Sequence, residues 1–352
     1  MAKIFNFEKA KENILRESDE LKGWPEIKGY EFSKGFKLDK FLNSYFSTGF
    51  QATNLKIAID IIKKMKKEKE AKKENLTVFL GYTSNMVSSG LREVIAYLVK
   101  LKFVDVIVTT AGSIEEDIIK CQTPFVLGSF NADGKELRKK GINRIGNIFV
   151  PNNRYIEFEK LMSRFFVRIS DELKQKNKKG ISQNTISPSE LIFELGKEID
   201  KEIKDEQIKS NSILYWATKN NIPVFCPAIT DGSFGDMTYF YKKKNPDFKI
   251  DITSDIVKIN DIAINAEKTG AIILGGSLPK HHIMNANMFR DGTDYTVYIS
   301  TGTEGDGSMG GARPEEAVSW GKQAMNATSV MVEGDATIIF PLIVAGVFVD
   351  EK

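Results

Sequence analysis

Thr77-Val78-Phe79-Leu80-Gly81-Tyr82-Thr83-Ser84-Asn85 sets the pattern from which the fold is read. Its apolar run is too short for an ordinary helix and suits a strand covered on both faces. The glycine, hydroxyl and amide residues after it suit a turn at the strand's carboxyl end. The same grammar recurs at Val104 to Val108 before Thr109-Thr110-Ala111-Gly112, at Val224 to Cys226 before Thr230-Asp231-Gly232-Ser233, and at Ala271 to Leu274 before Gly275-Gly276. It returns at Tyr295 to Ile299 before Thr301-Gly302-Thr303-Glu304-Gly305-Asp306, and at Val330 to Val332 before Asp335. Helical patterns such as Leu91 to Lys102 lie between. Alternation of this kind predicts an α/β fold with a doubly wound, mostly parallel sheet and a Rossmann-like crevice at the carboxyl ends of the strands.

With 352 residues, 41% of them hydrophobic, the chain has ample apolar material for a core. Fifty Lys and Arg against 47 Asp and Glu leave a net charge of only +3, which gives no general attraction to nucleic acid. The charged runs Lys63 to Lys73 and Lys174 to Lys179 carry no interleaved aromatic residues and read as solvated helix ends or loops. Cys121 and Cys226 lack metal-ligand or CxxC spacing and read as buried thiols of a reduced, cytoplasmic protein. No apolar stretch has the length of a membrane span. The least regular segments are the N-terminal part to about Ser47 and Lys174 to Glu190, the latter of loop composition. Residues 1–28 are expected to form an N-terminal extension and 29–352 a single domain.

Glycine in the strand-end turns lets backbone amides approach a phosphate, and hydroxyl side chains add directional hydrogen bonds, so the set together suits a dinucleotide. The usual GxGxxG spacing is absent. Acidic residues share these turns: Glu116, Asp231, Asp236, Asp306, Glu316 and Asp335. A crevice rich in carboxylates, with an aromatic wall such as Trp320, matches the ammonium groups and methylenes of a polyamine. A divalent-metal site is the alternative that acids alone leave open.

Two further features carry chemistry. Lys322 follows Trp320 at the end of a short acidic segment, where an indole and nearby carboxylates can partly desolvate an amine. Desolvation favours the neutral form that attacks imine or carbonyl carbon. The competing reading is a core tryptophan and a solvated lysine. His281 and His282 are the chain's only histidines, and adjacent histidines without further ligands do not make a zinc site. One of them instead suits a proton acceptor near neutrality.

Six segments resemble deoxyhypusine synthase: Gly81 to Gly90 (GYTSNMVSSG), Val104 to Lys120 (VDVIVTTAGSIEEDIIK), Gly141 to Gly146 (GINRIG), Pro227 to Met237 (PAITDGSFGDM), Lys280 to Asn287 (KHHIMNAN) and Gly311 to Lys322 (GARPEEAVSWGK). The resemblance spans roughly Gly29 to Val349. It implies NAD-dependent transfer of the aminobutyl arm of spermidine to one lysine of the precursor of the hypusine-bearing translation factor, initiation factor five A. By the same resemblance Lys322 is the lysine that forms the enzyme imine and His281 the base. Asp236, Glu316 and Trp320 hold the polyamine, with Asn285 nearby. Asn85, Ser88, Thr110, Ala111, Gly112, Glu116, Asp231, Gly275, Gly276, Thr301, Asp306, Ser308 and Asp335 line the NAD site. The family also implies a cytoplasmic homotetramer with sites between subunits, whose entrance an N-terminal helix covers; Phe5 to Glu20 is the matching segment.

The chain departs from the family pattern at three places. Many eukaryotic members read Asp-Gly-Ser-Asp-Ser-Gly-Ala where this chain has Asp306-Gly307-Ser308-Met309-Gly310-Gly311-Ala312, so Met309 replaces a polyamine-binding acid and Gly310 a cofactor-side serine. Ser277 stands where a third glycine is common and, being small, reads as the milder change. Two alternatives share the imprint: a homospermidine synthase, which gives the arm to putrescine, and an impaired regulatory subunit of a hetero-oligomer. Retention of Lys322 argues against the second.

Overall fold

The computed structural model describes residues 7–71, 76–178 and 185–349. At its centre lies a parallel sheet of six strands: β1 (Leu76–Tyr82), β2 (Val106–Val108), β3 (Val224–Phe225), β4 (Lys268–Leu274), β5 (Thr293–Ser300) and β6 (Gln323–Glu333). Their order across the sheet is β3-β2-β1-β4-β5-β6, with every neighbouring pair parallel. The chain therefore starts in the middle, winds outward through β2 and β3, returns beside β1 as β4, and winds the other way. The reversal between β1 and β4 is the topological switch point, where loops on the two sides part and leave a crevice.

Side-chain alternation explains why these runs form a central sheet. Val78, Leu80, Tyr82, Ile272, Leu274, Val297 and Ile299 enter one apolar cluster, and Phe79, Val106, Val108, Ala271, Ile273 and Tyr298 enter the other. Both faces are thus covered, so both alternate sets must be apolar, and each buried Leu, Ile or Phe contributes about 1.5–3 kcal/mol. The helices Phe50–Ala71 and Ala336–Phe348 supply Ile59, Ile62, Met65, Phe340 and Ile343 to the first cluster. The helix Ser277–Met288 supplies Ile283, Met284 and Ala286 to the second. Cys121 and Cys226 are buried free thiols; burial pushes Cys121 up to about 12.

All six expected strand cores lie in this sheet, and the expected helix Leu91 to Lys102 forms as Leu91–Lys100. The N-terminal part is more regular than its composition suggested. Helix Leu38–Thr48 forms, and Tyr30 meets Phe32, Phe36 and Phe41 edge to face or nearly so, with ring centroids 4.9, 6.1 and 5.6 Å away. Helix Phe7–Ile14, by contrast, buries no residue. Residues 1–6 and 350–352, which fall within the two expected domain spans, lie outside the described residues, as do Phe5 and Asn6 of the expected covering helix and Lys72 and Lys73 of the first charged run. Of the expected loop at Lys174 to Glu190, the first part continues the helix Asn153–Lys178, Thr185–Ile186 pairs in parallel with Lys249–Ile250, and Ser187 caps the helix Pro188–Glu202; residues 179–184 are not described. A small antiparallel sheet of Val126–Leu127, Ile142–Ile145 and Ile148–Pro151 was not anticipated. Among the described residues no helix is long and apolar enough to cross a membrane.

Candidate functional site

Lys322 reaches its place through a tight reversal. Pro314 opens the helix Pro314–Ser319 and Trp320 caps it. Gly321 takes φ +67°, and the Lys322 amide donates to the Ala317 carbonyl at 2.9 Å, so the chain turns at once into β6. There Lys322 Nζ stands 3.5 Å from His281 Nε2 and 5.2 Å over the Trp320 ring. His281 sits one turn into the helix Ser277–Met288, and its Nδ1 is 3.4 Å from Asn285 Nδ2. The Asn285 amide nitrogen donates to Nδ1, and Nε2 is the ring nitrogen that faces Lys322. Burial and the Lys322 charge hold His281 below the ordinary histidine range, so at neutral pH its imidazole is free to take a proton. Lys322 and His281 border a cavity of about 210 Å³ whose walls include Lys280, Met284, Tyr298, Met309, Glu316 and Trp320.

Successive helix residues turn by about 100°, which places Lys280 inward while His281 faces the rim. Lys280 is only 2% exposed. Its ammonium donates to the carbonyls of Met309 at 2.8 Å and Ala312 at 2.6 Å and lies 3.9 Å over the Tyr298 ring. Burial pushes it down to about 8, partly offset by Glu316. Deep burial thus falls on Lys280, while Lys322, for which partial desolvation was expected, is half-buried.

Beside the switch point, helix Ser84–Ser88 follows β1 and helix Ala111–Gln122 follows the neighbouring β2. Thr110 Oγ1 accepts from the Ser84 amide at 3.0 Å and makes no capping bond to its own helix, which leaves the first-turn amides at Ala111 and Gly112 uncapped. The same helix carries three consecutive buried carboxylates. Glu115 accepts from the Phe234 amide at 2.8 Å and so caps helix Ser233–Lys244. Glu116 accepts from Ser88 Oγ, and burial pushes it up to about 7 despite that bond. Asp117 takes Arg92 Nε at 2.6 Å, Ser212 Oγ at 2.7 Å and the Leu214 amide at 2.9 Å. Their rotation around the helix sends each to a different neighbour.

Asn85, Ser88, Thr110, Ala111, Gly112, Glu116, Asp231, Gly275, Gly276, Thr301, Asp306, Ser308 and Asp335 all follow carboxyl ends of sheet strands. Asn85 Oδ1 accepts from Thr83 Oγ1 at 2.5 Å. Gly276 and Gly310 pack backbone on backbone: a Cβ on Gly276 would lie 2.5 Å from Gly310 Cα. Gly310 itself has ordinary room for a side chain, so the serine of the family pattern would fit there. The Ser308 hydroxyl, and after it the Ser308 amide at 2.7 Å, hold Asp306 below the usual carboxylate range. Asp335 caps the helix Ala336–Phe348 through the Thr337 amide at 2.8 Å. Ser277 has φ +55°, so its backbone strain makes the change from glycine less mild than its size suggested.

Lys322, His281, Glu316 and Trp320 are thus brought together at one cavity, with Asn285 on the ring of His281. Asp236 stands apart from that cavity wall. It lies exposed on helix Ser233–Lys244 beside Glu115, whose carboxyl its charge helps to raise, after burial. Met309 enters the wall where the family pattern has an acid. Reasoning from sequence missed Glu115 and Lys280. Glu115 had a signal in its position beside Glu116, while Lys280 had none beyond its place in the KHHIMNAN segment.

A family model described as deoxyhypusine synthase matches residues 40–347. The chain belongs to the deoxyhypusine synthase family. A relative in Methanocaldococcus jannaschii named "Probable deoxyhypusine synthase" is 55% identical over 94% of this chain and 98% of its own. The "Deoxyhypusine synthase" of Senecio vernalis is 48% identical over 96% of this chain and 93% of its own. A crystal structure from Entamoeba histolytica assigned to deoxyhypusine synthase superposes with a TM-score of 0.64 at 34% identity, covering 92% of this chain and 96% of that one. The deoxyhypusine synthases to which the chain is similar favour this enzyme over a homospermidine synthase or an inactive subunit. They place the protein among NAD-dependent aminobutyl transferases.

Proposed function

We propose that this protein transfers the aminobutyl arm of spermidine to the hypusine-site lysine of the precursor of initiation factor five A, using Lys322 as nucleophile and His281 as base. The observation that carries the assignment is the Lys322–His281 contact at 3.5 Å beside a cavity walled by Glu316 and Trp320. Glu316 supplies charge-assisted hydrogen bonds to substrate ammonium and the aromatic wall covers methylenes; Asp236 and Asn285 complete the polyamine site.

The switch-point crevice fits NAD: uncapped amides at Ala111 and Gly112 suit a diphosphate, and the backbone contact of Gly276 with Gly310 leaves no side chain between these strand-end loops. Asn85, Ser88, Thr110, Glu116, Asp231, Gly275, Thr301, Asp306, Ser308 and Asp335 complete its lining. NAD, when bound, accepts a hydride from spermidine and later returns it, so there is no net redox change. His281 takes a proton from the secondary ammonium, and loss of hydride from the adjacent carbon then leaves the iminium. The Lys322 amine then adds to that carbon, the carbon–nitrogen bond to 1,3-diaminopropane breaks, and the butyl arm remains on Lys322 as an imine. The acceptor lysine displaces Lys322 by the same addition and elimination, and reduction of the new imine gives the product amine. Met309 removes one charged partner from the polyamine site; loss of such a bond costs about 1.5–3 kcal/mol of binding.

Separation of Asp236 from the Lys322 cavity supports a site completed between two copies of the chain, in a cytoplasmic homotetramer. Residues 1–28 are an extension to a catalytic domain of 29–352, and helix Phe7–Ile14, none of whose residues is buried, is the element that covers an entrance. The test is to incubate the protein with NAD and spermidine labelled in the butyl arm, then offer the factor precursor or putrescine. Label in the precursor with release of 1,3-diaminopropane supports the reading; label only in homospermidine overturns it.

A further inference from the structure

We propose that Lys280 is a positioning residue that ties the helix bearing the base to the loop that leads to the nucleophile. The inference rests on the reading in which His281 and Lys322 are the reacting pair. His281 is carried by helix Ser277–Met288, whereas Lys322 hangs from the segment that begins at the Met309–Ala312 loop and continues through helix Pro314–Ser319. That loop has glycine at Gly310 and Gly311, and so has few side chains with which to anchor itself.

Lys280 supplies the anchor. Its ammonium bonds two loop carbonyls, those of Met309 and Ala312, at 2.8 and 2.6 Å, and rests on the face of Tyr298 from β5 at 3.9 Å. Three elements therefore meet at one buried cation immediately before His281 in the chain. Two carbonyl oxygens and a ring face are all partners that favour the charged amine. An amine so engaged has its protons committed to carbonyl oxygens, which is why Lys280, although more deeply buried than Lys322, holds the site instead of attacking substrate. Displacing a reacting group by about 1 Å can cost on the order of a hundredfold in rate, so the tie need fix the loop only modestly to matter.

The experiment compares the full-length wild type with Lys280→Met, Lys280→Gln and Lys280→Arg, in the presence of NAD. Expected for Lys280→Met is a folded protein whose rate of 1,3-diaminopropane release falls at least about tenfold with spermidine KM within about threefold, because positioning and not ground-state binding is lost. Amide exchange at Gly311 and Ala312 should quicken by about tenfold, and Lys280→Arg, which can reach the same two carbonyls, should restore most of both. If Lys280→Met does not fold, Lys280→Gln takes its place in the comparison. An unchanged rate and exchange in the folded variant, or an arginine variant as slow as the methionine one, overturns the proposal. Failure of the reading beneath it would look different: the wild type itself would carry no butylamine adduct on Lys322.

Discussion

Lys322 Nζ and His281 Nε2 lie 3.5 Å apart although 41 residues separate them in the chain. The proximity couples their charges: burial and the Lys322 ammonium together keep His281 below the ordinary histidine range. Replacing Lys322 with Met should therefore raise the His281 pKa while leaving it depressed by burial, the larger cause. Proton NMR titration reads this directly, since His282 is the only other imidazole and His282→Gln assigns the pair. A fall on removal of Lys322 would contradict the coupling. The sign for stability follows from the same depression. Both His281 and His282 are held low by burial, so the folded chain binds fewer protons than the unfolded one. Their contribution is complete above the ordinary histidine range and is lost as pH falls from there through their lower folded values.

Glu116 has the opposite sign. Its folded value of about 7 exceeds the unfolded 4.5, so it weakens the fold progressively as pH rises from 4.5 to 7. Glu116→Gln, which can still accept from Ser88, should stabilise the NAD-free protein at pH 8 by up to about 3 kcal/mol and flatten that part of the pH profile. Urea unfolding at pH 5 and pH 8 measures it; an equal gain at both would contradict the burial argument. If Glu116 contacts NAD, the same variant binds NAD more weakly, visible by calorimetry.

Asp117 is 1% exposed and Arg92 3% exposed. Removing the carboxylate in Asp117→Ala leaves the buried guanidinium with Glu93, at 3.4 Å, as its remaining charged partner and takes away the acceptor of the Leu214 amide in helix Ile213–Lys219, so a loss of about 3–5 kcal/mol is expected in denaturant unfolding. A loss below about 1 kcal/mol would show that Arg92 finds other partners.

Ser277 holds φ +55° at the first residue of the helix that carries His281. Glycine removes a strain of about 1 kcal/mol, which its greater unfolded-state freedom offsets by about 0.4–1 kcal/mol. Ser277→Gly should accordingly leave stability unchanged or raise it slightly, checked by thermal unfolding; a clear loss would mean that the Ser277 side chain does structural work.

The sheet strands were legible because burial on both faces forces unbroken apolar runs, and the strand-end turns because glycine and hydroxyl residues cluster there. Strand order was accessible only through the general rule for alternating units, since nothing in β4 names β1 as its neighbour. Val126 and Leu127 are exposed, so their two-residue strand lacked the apolar alternation that marks a buried one. Within Glu115-Glu116-Asp117, helical rotation decides which carboxylate meets which element, and spacing alone cannot assign that. Resemblance supplied the pairing of Lys322 with His281, which their separation in sequence conceals. It also joined Asp236 to them, whereas the single chain places Asp236 beside Glu115. Lys280 stayed hidden because one more lysine in a charged chain is unremarkable until its burial is known.

The central claim is that Lys322, and not the more deeply buried Lys280, carries the butyl arm. Incubation with NAD and labelled spermidine, reduction with borohydride, digestion and mass spectrometry locate that arm. The account predicts a butylamine adduct on Lys322 that disappears when the factor precursor is added before reduction. An adduct on Lys280, or none while NAD is bound, would contradict it.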